Sequence, residues 1–137
     1  MANTNAGEAK RWREAAARTL STALLLRGQD DARSCVSRAY YAVFQLATAV
    51  CIAHGDAAQF PESWNNPSHL QLPDLIYNNG NCSLLTRRSV RKILRELRTL
   101  REDADYRVGR TVDKQTVRAA LLMAETVFER LENKHDF

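Results

Sequence analysis

Arg101, Asp105 and Tyr106 stand within six residues of one another in a stretch of good helix formers. A guanidinium and a carboxylate at i and i+4 share one helix face and can pair. The helical angle of Arg101 sets it at the edge of an apolar stripe, beside Leu94 and Leu97. An arginine at a buried edge with a carboxylate partner is a costly arrangement, read either as a structural lock or as a held functional group. Asp103 and Asp105 lie about 160° apart on a helix and make a poor acid–base dyad. Upstream, residues 87–101 carry seven cations (Arg87, Arg88, Arg91, Lys92, Arg95, Arg98 and Arg101) against the single acid Glu96, a net charge of +6. Arg87, Arg91, Arg95 and Arg98 share one arc opposite the apolar stripe, at about 100° per residue. Such a face attracts phosphate without reading sequence, and arginine favours the phosphate fork. A solvated face whose charges pair with neighbouring acids is the competing reading.

A second cluster is Ser37, Arg38, Tyr40 and Tyr41. Adjacent tyrosines on a bundle helix suit core and rim packing, with their hydroxyls finding partners. Arg38 lies off the seam, one turn from Tyr41. Metal chemistry is not expected. His54, His69 and His135 have no histidine or cysteine at paired spacing except Cys51 with His54, which a helix seam explains. There is no glycine-rich phosphate loop and no Gly-x-Ser-x-Gly, and no cofactor is implied.

Four amphipathic helices must position these residues. The first is expected at about 7–27, with Trp12, Ala16, Leu20, Ala23 and Leu24 on one side and Gly28 as its C-terminal cap. The second runs at about 31–54, where Val36, Tyr40, Val43, Ala47, Val50 and His54 form a bundle seam. The third covers about 83–106, with Val90, Ile93, Leu94, Leu97, Leu100 and Ala104 as its stripe. The fourth covers about 113–133, capped by Asp113, with Val117, Ala120, Leu121, Ala124, Val127, Phe128 and Leu131 inward. All three prolines fall in the irregular connection at about 55–84, where a short helix fits between 68 and 77 with Ser68 as cap. A connection this long is either functional or a variable insertion.

The chain has 137 residues, 45% hydrophobic and 26% charged. That is one domain, 1–137, able to bury roughly two-thirds of its unfolded surface without staples. A disordered chain, a collagen and a disulfide-rich miniprotein are excluded. No run approaches 18 apolar residues, so no membrane span is expected, and the charged first twenty residues show no signal peptide. Three widely spaced cysteines fit a reduced, cytoplasmic setting. The net charge of +4 permits a nucleic-acid partner without demanding one. No segment alternates with period 2, so the fold class is all-α: an antiparallel four- to five-helix bundle.

Ser37-Arg38-Ala39-Tyr40-Tyr41-Ala42-Val43-Phe44 resembles the signature of HEPN domains (higher eukaryotes and prokaryotes nucleotide-binding), in particular a small prokaryotic branch. Leu100-Arg101-Glu102-Asp103-Ala104-Asp105-Tyr106 is similar to that branch's second signature, and the resemblance spans about 8–131. It implies a helical bundle that often dimerises and is often encoded beside a small nucleotidyltransferase, in toxin–antitoxin or defence systems. Active members are metal-independent endoribonucleases using an arginine and a histidine four to six residues apart. This chain departs from that pattern. With four residues intervening after Arg101 the next is Tyr106, and with six it is Val108, with no histidine in the window. A tyrosine hydroxyl titrates near pH 10, too high for an easy general base. His54 or His69 would have to enter from the long connection.

The expected function is therefore a HEPN-type component of a two-component system, binding RNA or nucleotide, a nucleotidyltransferase partner, or both, as a homodimer. The alternative is a ribonuclease toxin using Arg101 with Tyr106 or with a loop residue. In either case Arg38 and Arg101 would meet phosphate, Asp105 would orient an arginine, and Tyr41 and Tyr106 would stack or donate. Arg91, Arg95 and Arg98 would steer RNA.

Overall fold

A computed structural model describes residues 4–107, 109 and 111–132. Helix α1 spans Thr4–Arg27, α2 Ala32–Ala53, α3 Leu72–Tyr77, α4 Leu84–Tyr106 and α5 Lys114–Glu132, with a 3-10 turn at Asp56–Gln59. The described residues contain no strand, and the molecule is an all-α bundle. Asn133, Val108 and His135 lie outside the described residues.

Side-chain caps start the long helices. Asp31 Oδ1 accepts the Ser34 N–H at 3.2 Å, Ser83 Oγ accepts from Thr86 N at 3.2 Å, and Asp113 Oδ1 accepts from Thr116 N at 2.8 Å. The Thr116 amide and hydroxyl hold the Asp113 carboxyl below its ordinary range. Gly55 follows α2 with φ +87°, the left-handed conformation that lets the helix stop. The α1–α2 turn is made differently from the expectation. Its left-handed residue is Asp30, φ +56°, while Gly28 simply closes a turn onto the Leu25 carbonyl at 3.3 Å. A short carboxylate tolerates that conformation better than most side chains.

Helix α2 is the centre of the bundle and touches α1, α3, α4 and α5. Fifteen of its 22 residues are buried, so it is enclosed around most of its circumference rather than along one seam, leaving open the line of Ser34, Arg38, Tyr41 and Gln45. By length and composition alone it is apolar enough to cross a membrane, which a count of uninterrupted apolar residues does not show, but most of it is buried inside the bundle. His54, placed on the seam by spacing, is exposed because the helix ends at Ala53.

Helix α1 is antiparallel to α2, with the Cys35 thiol donating to the Ala23 carbonyl at 3.2 Å. Its fully buried line is Ala9, Ala16 and Ala23, seven apart, while Trp12, Leu20 and Leu24 are half-buried. Small residues on that line let the two helices approach closely, since interaxial distance follows the side chains at the contact. The apolar stripes of α4 and α5 are buried as their spacing requires, with Leu100 half-buried. Burying each Leu, Ile or Phe of those stripes contributes about 1.5–3 kcal/mol. Cys35, Cys51 and Cys82 are buried thiols outside any disulfide, and burial raises their proton affinity, keeping them protonated.

The connection between α2 and α4 is folded onto the bundle. Leu72, Pro73, Leu75 and Ile76 of α3 are buried. Ser68 Oγ accepts from Gln71 N at 3.1 Å, shaping the turn before α3 rather than capping its first residue. Asn79, buried, donates to Asp56 Oδ2 at 3.3 Å and accepts from Asn81 N at 3.0 Å. Arginines of α4 hold α3 in place. Arg87 donates to the Tyr77 carbonyl at 2.9 Å, the Arg91 guanidinium lies 3.5 Å from the Tyr77 ring centroid, and Arg95 pairs with Asp74 at 3.2 Å.

Candidate functional site

The antiparallel arrangement of α2 and α4 brings the start of one beside the end of the other. Arg33, near the start of α2, donates to the Ala104 carbonyl at 2.6 Å and to the Asp103 carbonyl at 3.3 Å. These carbonyls belong to the last turn of a helix, that of Asp103 also accepting the Arg107 N–H at 3.2 Å, so a cation there complements both them and the helix dipole. Arg33 thereby fixes the last turn of α4, which carries Arg101, Asp105 and Tyr106. The sequence analysis missed this role, and no local pattern signals it, because the partners are 70 and 71 residues away.

Arg101 sits at the centre of the cluster. Its Nε lies 3.0 Å from Asp105 Oδ2, an ion pair whose N–H is not aimed well enough for a hydrogen bond. Its Nη2 donates to the Tyr41 hydroxyl at 2.7 Å and to the Tyr106 hydroxyl at 3.3 Å. Its guanidinium carbon lies 5.2 Å from the Tyr41 ring centroid, 5.3 Å from that of Tyr106 and 6.0 Å from that of Tyr40. Burial opposes its charge, but Tyr41, Tyr106, Asp105 and Tyr40 outweigh that, and its proton is held more tightly than usual. Ser37 Oγ donates to the same Asp105 Oδ2 at 3.2 Å, fixing the carboxylate from α2. Nη1 has no hydrogen-bond partner among the described residues and is not a buried atom, so it is the open donor of the group.

Around this centre, Arg38 is exposed and places its guanidinium 5.1 Å from the Tyr41 centroid. Tyr106 is 69% exposed and forms an aromatic rim. Arg38, Tyr41, Arg101, Asp105 and Tyr106 therefore converge on one place. Arg91 and Arg95 do not join it, while Arg98 lies near enough to act electrostatically on His69 and Tyr40. Arg91 stacks on Tyr77, Arg95 pairs with Asp74, and Arg98 lies 3.0 Å from Glu102. The surface pair Arg95–Asp74, with both side chains exposed, is worth little.

One participant comes from the connection between α2 and α3. His69 lies against Tyr40, Tyr41 and Phe44, with centroid separations of 5.6, 6.1 and 4.7 Å, and its Nδ1 is 2.6 Å from the Tyr40 hydroxyl. Burial, then Arg101 and Arg98, lower its proton affinity against a weaker opposing pull from Glu102, so the ring is neutral at pH 7. Burial raises the Tyr40 hydroxyl in the opposite sense and keeps it protonated. His54, by contrast, is exposed at the C-terminal end of α2, whereas the cluster gathers at that helix's start. Among the described residues no three His, Cys, Asp or Glu side chains could hold a metal ion.

A cavity of about 940 Å³ opens elsewhere, between the α1–α2 turn and the start of α5. It is lined by Leu26, Val117 and Leu122 with Arg27 and Arg118, and two of its carboxylates, Asp31 and Asp113, are engaged as helix caps. Its polar groups do not converge as those around Arg101 do.

No curated protein and no solved structure matches the chain. Residues 9–134 match the HEPN domain, a stretch that includes all five helices from the second turn of α1 and both tyrosine- and arginine-bearing segments of the site. With its helical bundle and nearly its whole length accounted for by that match, the chain belongs to the HEPN domain family.

Proposed function

We propose that this chain is the HEPN half of a toxin–antitoxin or defence-related two-component system, binding RNA or nucleotide phosphate at Arg101 and working as a homodimer beside a nucleotidyltransferase partner in the cytoplasm. One observation carries the binding reading. Arg101 is a largely buried guanidinium, its side chain 13% exposed, fixed through Nε and Nη2 while Nη1 stays open beside an exposed tyrosine. A pre-positioned arginine next to an aromatic rim suits a phosphate with a base stacked beside it. Tyr106 in the place of the family's histidine supplies a stacking surface and a hydroxyl rather than a base. The test is fluorescence anisotropy with a short single-stranded RNA in EDTA. Arg101→Ala should weaken binding about ten- to a hundred-fold, the range of a charged hydrogen bond, and unchanged affinity in a folded variant refutes the reading.

A second reading, a metal-independent endoribonuclease, is favoured by His69, which brings an imidazole against the same tyrosines that hold Arg101. Cleavage in EDTA that disappears in Arg101→Ala is its requirement.

A further inference from the structure

His69 and Arg101 flank the same two rings. The imidazole centroid is 5.6 Å from Tyr40 and 6.1 Å from Tyr41, and the guanidinium carbon is 6.0 Å and 5.2 Å from them. We propose that His69 is the second phosphate-binding group of this site, donating from Nε2–H as a neutral imidazole to a single phosphodiester whose other oxygen is held by Arg101. This rests on the reading that phosphate binds at Arg101.

The tautomer follows from Tyr40. That residue is 1% exposed, and among the described residues the Nδ1 of His69 is the one hydrogen-bond partner of its hydroxyl. If Nδ1 carried the hydrogen, the buried hydroxyl proton would have no acceptor, at a cost of about 1–3 kcal/mol. Tyr40 therefore donates and Nδ1 accepts. The hydrogen of the neutral ring is then on Nε2, which has no hydrogen-bond partner among the described residues and is not a buried atom. A ring in this state offers a donor, not the lone pair that a general base needs. Tyr40 is thus a positioning residue, acting on ligand only through His69.

Charge selects the ligand class. Arg101 is matched by Asp105 and Arg98 by Glu102, His69 is neutral, and Arg38 is an exposed cation beside the Tyr41 ring. Two of the arginines thus carry their own counter-charge, which suits one phosphodiester of a strand better than the several charges of a nucleoside triphosphate. Docking an anion also offsets the repulsion that Arg101 and Arg98 exert on a protonated His69, while Tyr40, Tyr41 and Glu102 face it without adding positive charge. Phosphodiester binding should therefore raise the proton affinity of the ring, the added proton entering at Nδ1, which then donates to the Tyr40 oxygen, and affinity should rise as pH falls through the imidazole range.

The experiment measures affinity for a short single-stranded RNA between about pH 5.5 and 8, in wild type, Arg101→Ala, His69→Ala and His69→Gln. His69→Ala should bind about ten-fold more weakly at neutral pH, the lower end of what one hydrogen bond to an anion contributes. His69→Gln, which keeps an N–H near the Nε2 position, should recover most of that loss but show a flat pH profile. In wild type, the pH midpoint of the His69 ring signals by NMR should move up when RNA is added, a readout that needs no variant to fold. If Arg101→Ala weakens binding while His69→Ala leaves affinity and pH profile unchanged, or if the His69 midpoint does not move with RNA bound, the inference is overturned and phosphate binding at Arg101 stands. If Arg101→Ala itself binds like wild type, the underlying reading fails first. ATP competing at Arg101 more tightly than the oligonucleotide overturns the assignment to a phosphodiester.

Discussion

Removing the Asp105 carboxylate is the most direct probe of what holds Arg101. In Asp105→Ala the guanidinium keeps its bonds to Tyr41 and Tyr106 but loses its counter-charge, and Ser37 loses its acceptor. Truncating one partner of a fully buried pair costs about 3–5 kcal/mol, while an exposed pair is worth about 0–1 kcal/mol. Here the side chains are 13% and 28% exposed, which places the pair between those limits. The expected cost is about 2 kcal/mol, and with a urea slope of roughly 2 kcal/mol per molar the unfolding midpoint should fall by about 1 M. Asp105→Asn keeps an oxygen for Ser37 and should lose about half as much. Because Arg101 is shielded from solvent, about 1 M NaCl should reduce the difference only partly. A midpoint for Asp105→Ala within about 0.2 M of wild type, by a cooperative transition followed by circular dichroism, would mean that the pair does not hold the arginine.

Three further outcomes follow from the same structure. Leu97→Ala, at a fully buried position of α4, should cost about 2–5 kcal/mol in urea unfolding, whereas a loss below about 1 kcal/mol would argue against the packing of α4 on α2. Neutralising Arg91, Arg95 or Arg98 to Gln should lower the slope of log affinity against log salt by about 0.7 for each residue that meets a phosphate of single-stranded RNA, and slopes identical to wild type would exclude them from the interface. Burial, with Arg101 and Arg98, sets the folded His69 below the ordinary value of 6.5. As pH falls the unfolded chain takes up that proton first, so His69 should cost no stability well above 6.5 and should destabilise progressively from there down to its folded pKa. His69→Ala should flatten that part of the stability profile, and an unchanged profile would assign the acid sensitivity to other groups.

The long helices were legible because their apolar spacing is dense and uninterrupted. Val90, Ile93, Leu94 and Leu97 on α4 are buried just where a 3.6-residue period puts them. The first helix was harder to read, since large side chains suggest the core, yet three alanines seven apart are what α2 packs against. Pairings along one helix, such as Arg101 with Asp105, follow from spacing. Contacts between helices do not. Tyr41 reaches Arg101 across 60 residues and Tyr40 reaches His69 across 29, and only the tertiary fold chooses those partners. His69 was visible as one of three histidines, but its turn offers no periodicity from which its direction could be read.

The clamp that α4 places on α3 gives the arginine face a second obligation. Arg91 and Arg95 are anchors of the segment that delivers His69, so a strand of RNA lying along α4 would compete with Tyr77 and Asp74 for the same guanidinium groups. A short oligonucleotide confined to Arg101 would leave those anchors alone and meet the imidazole in place. A longer one that spread onto Arg95 and Arg91 would unfasten α3, so footprint length itself would become a control on whether His69 stays beside the phosphate.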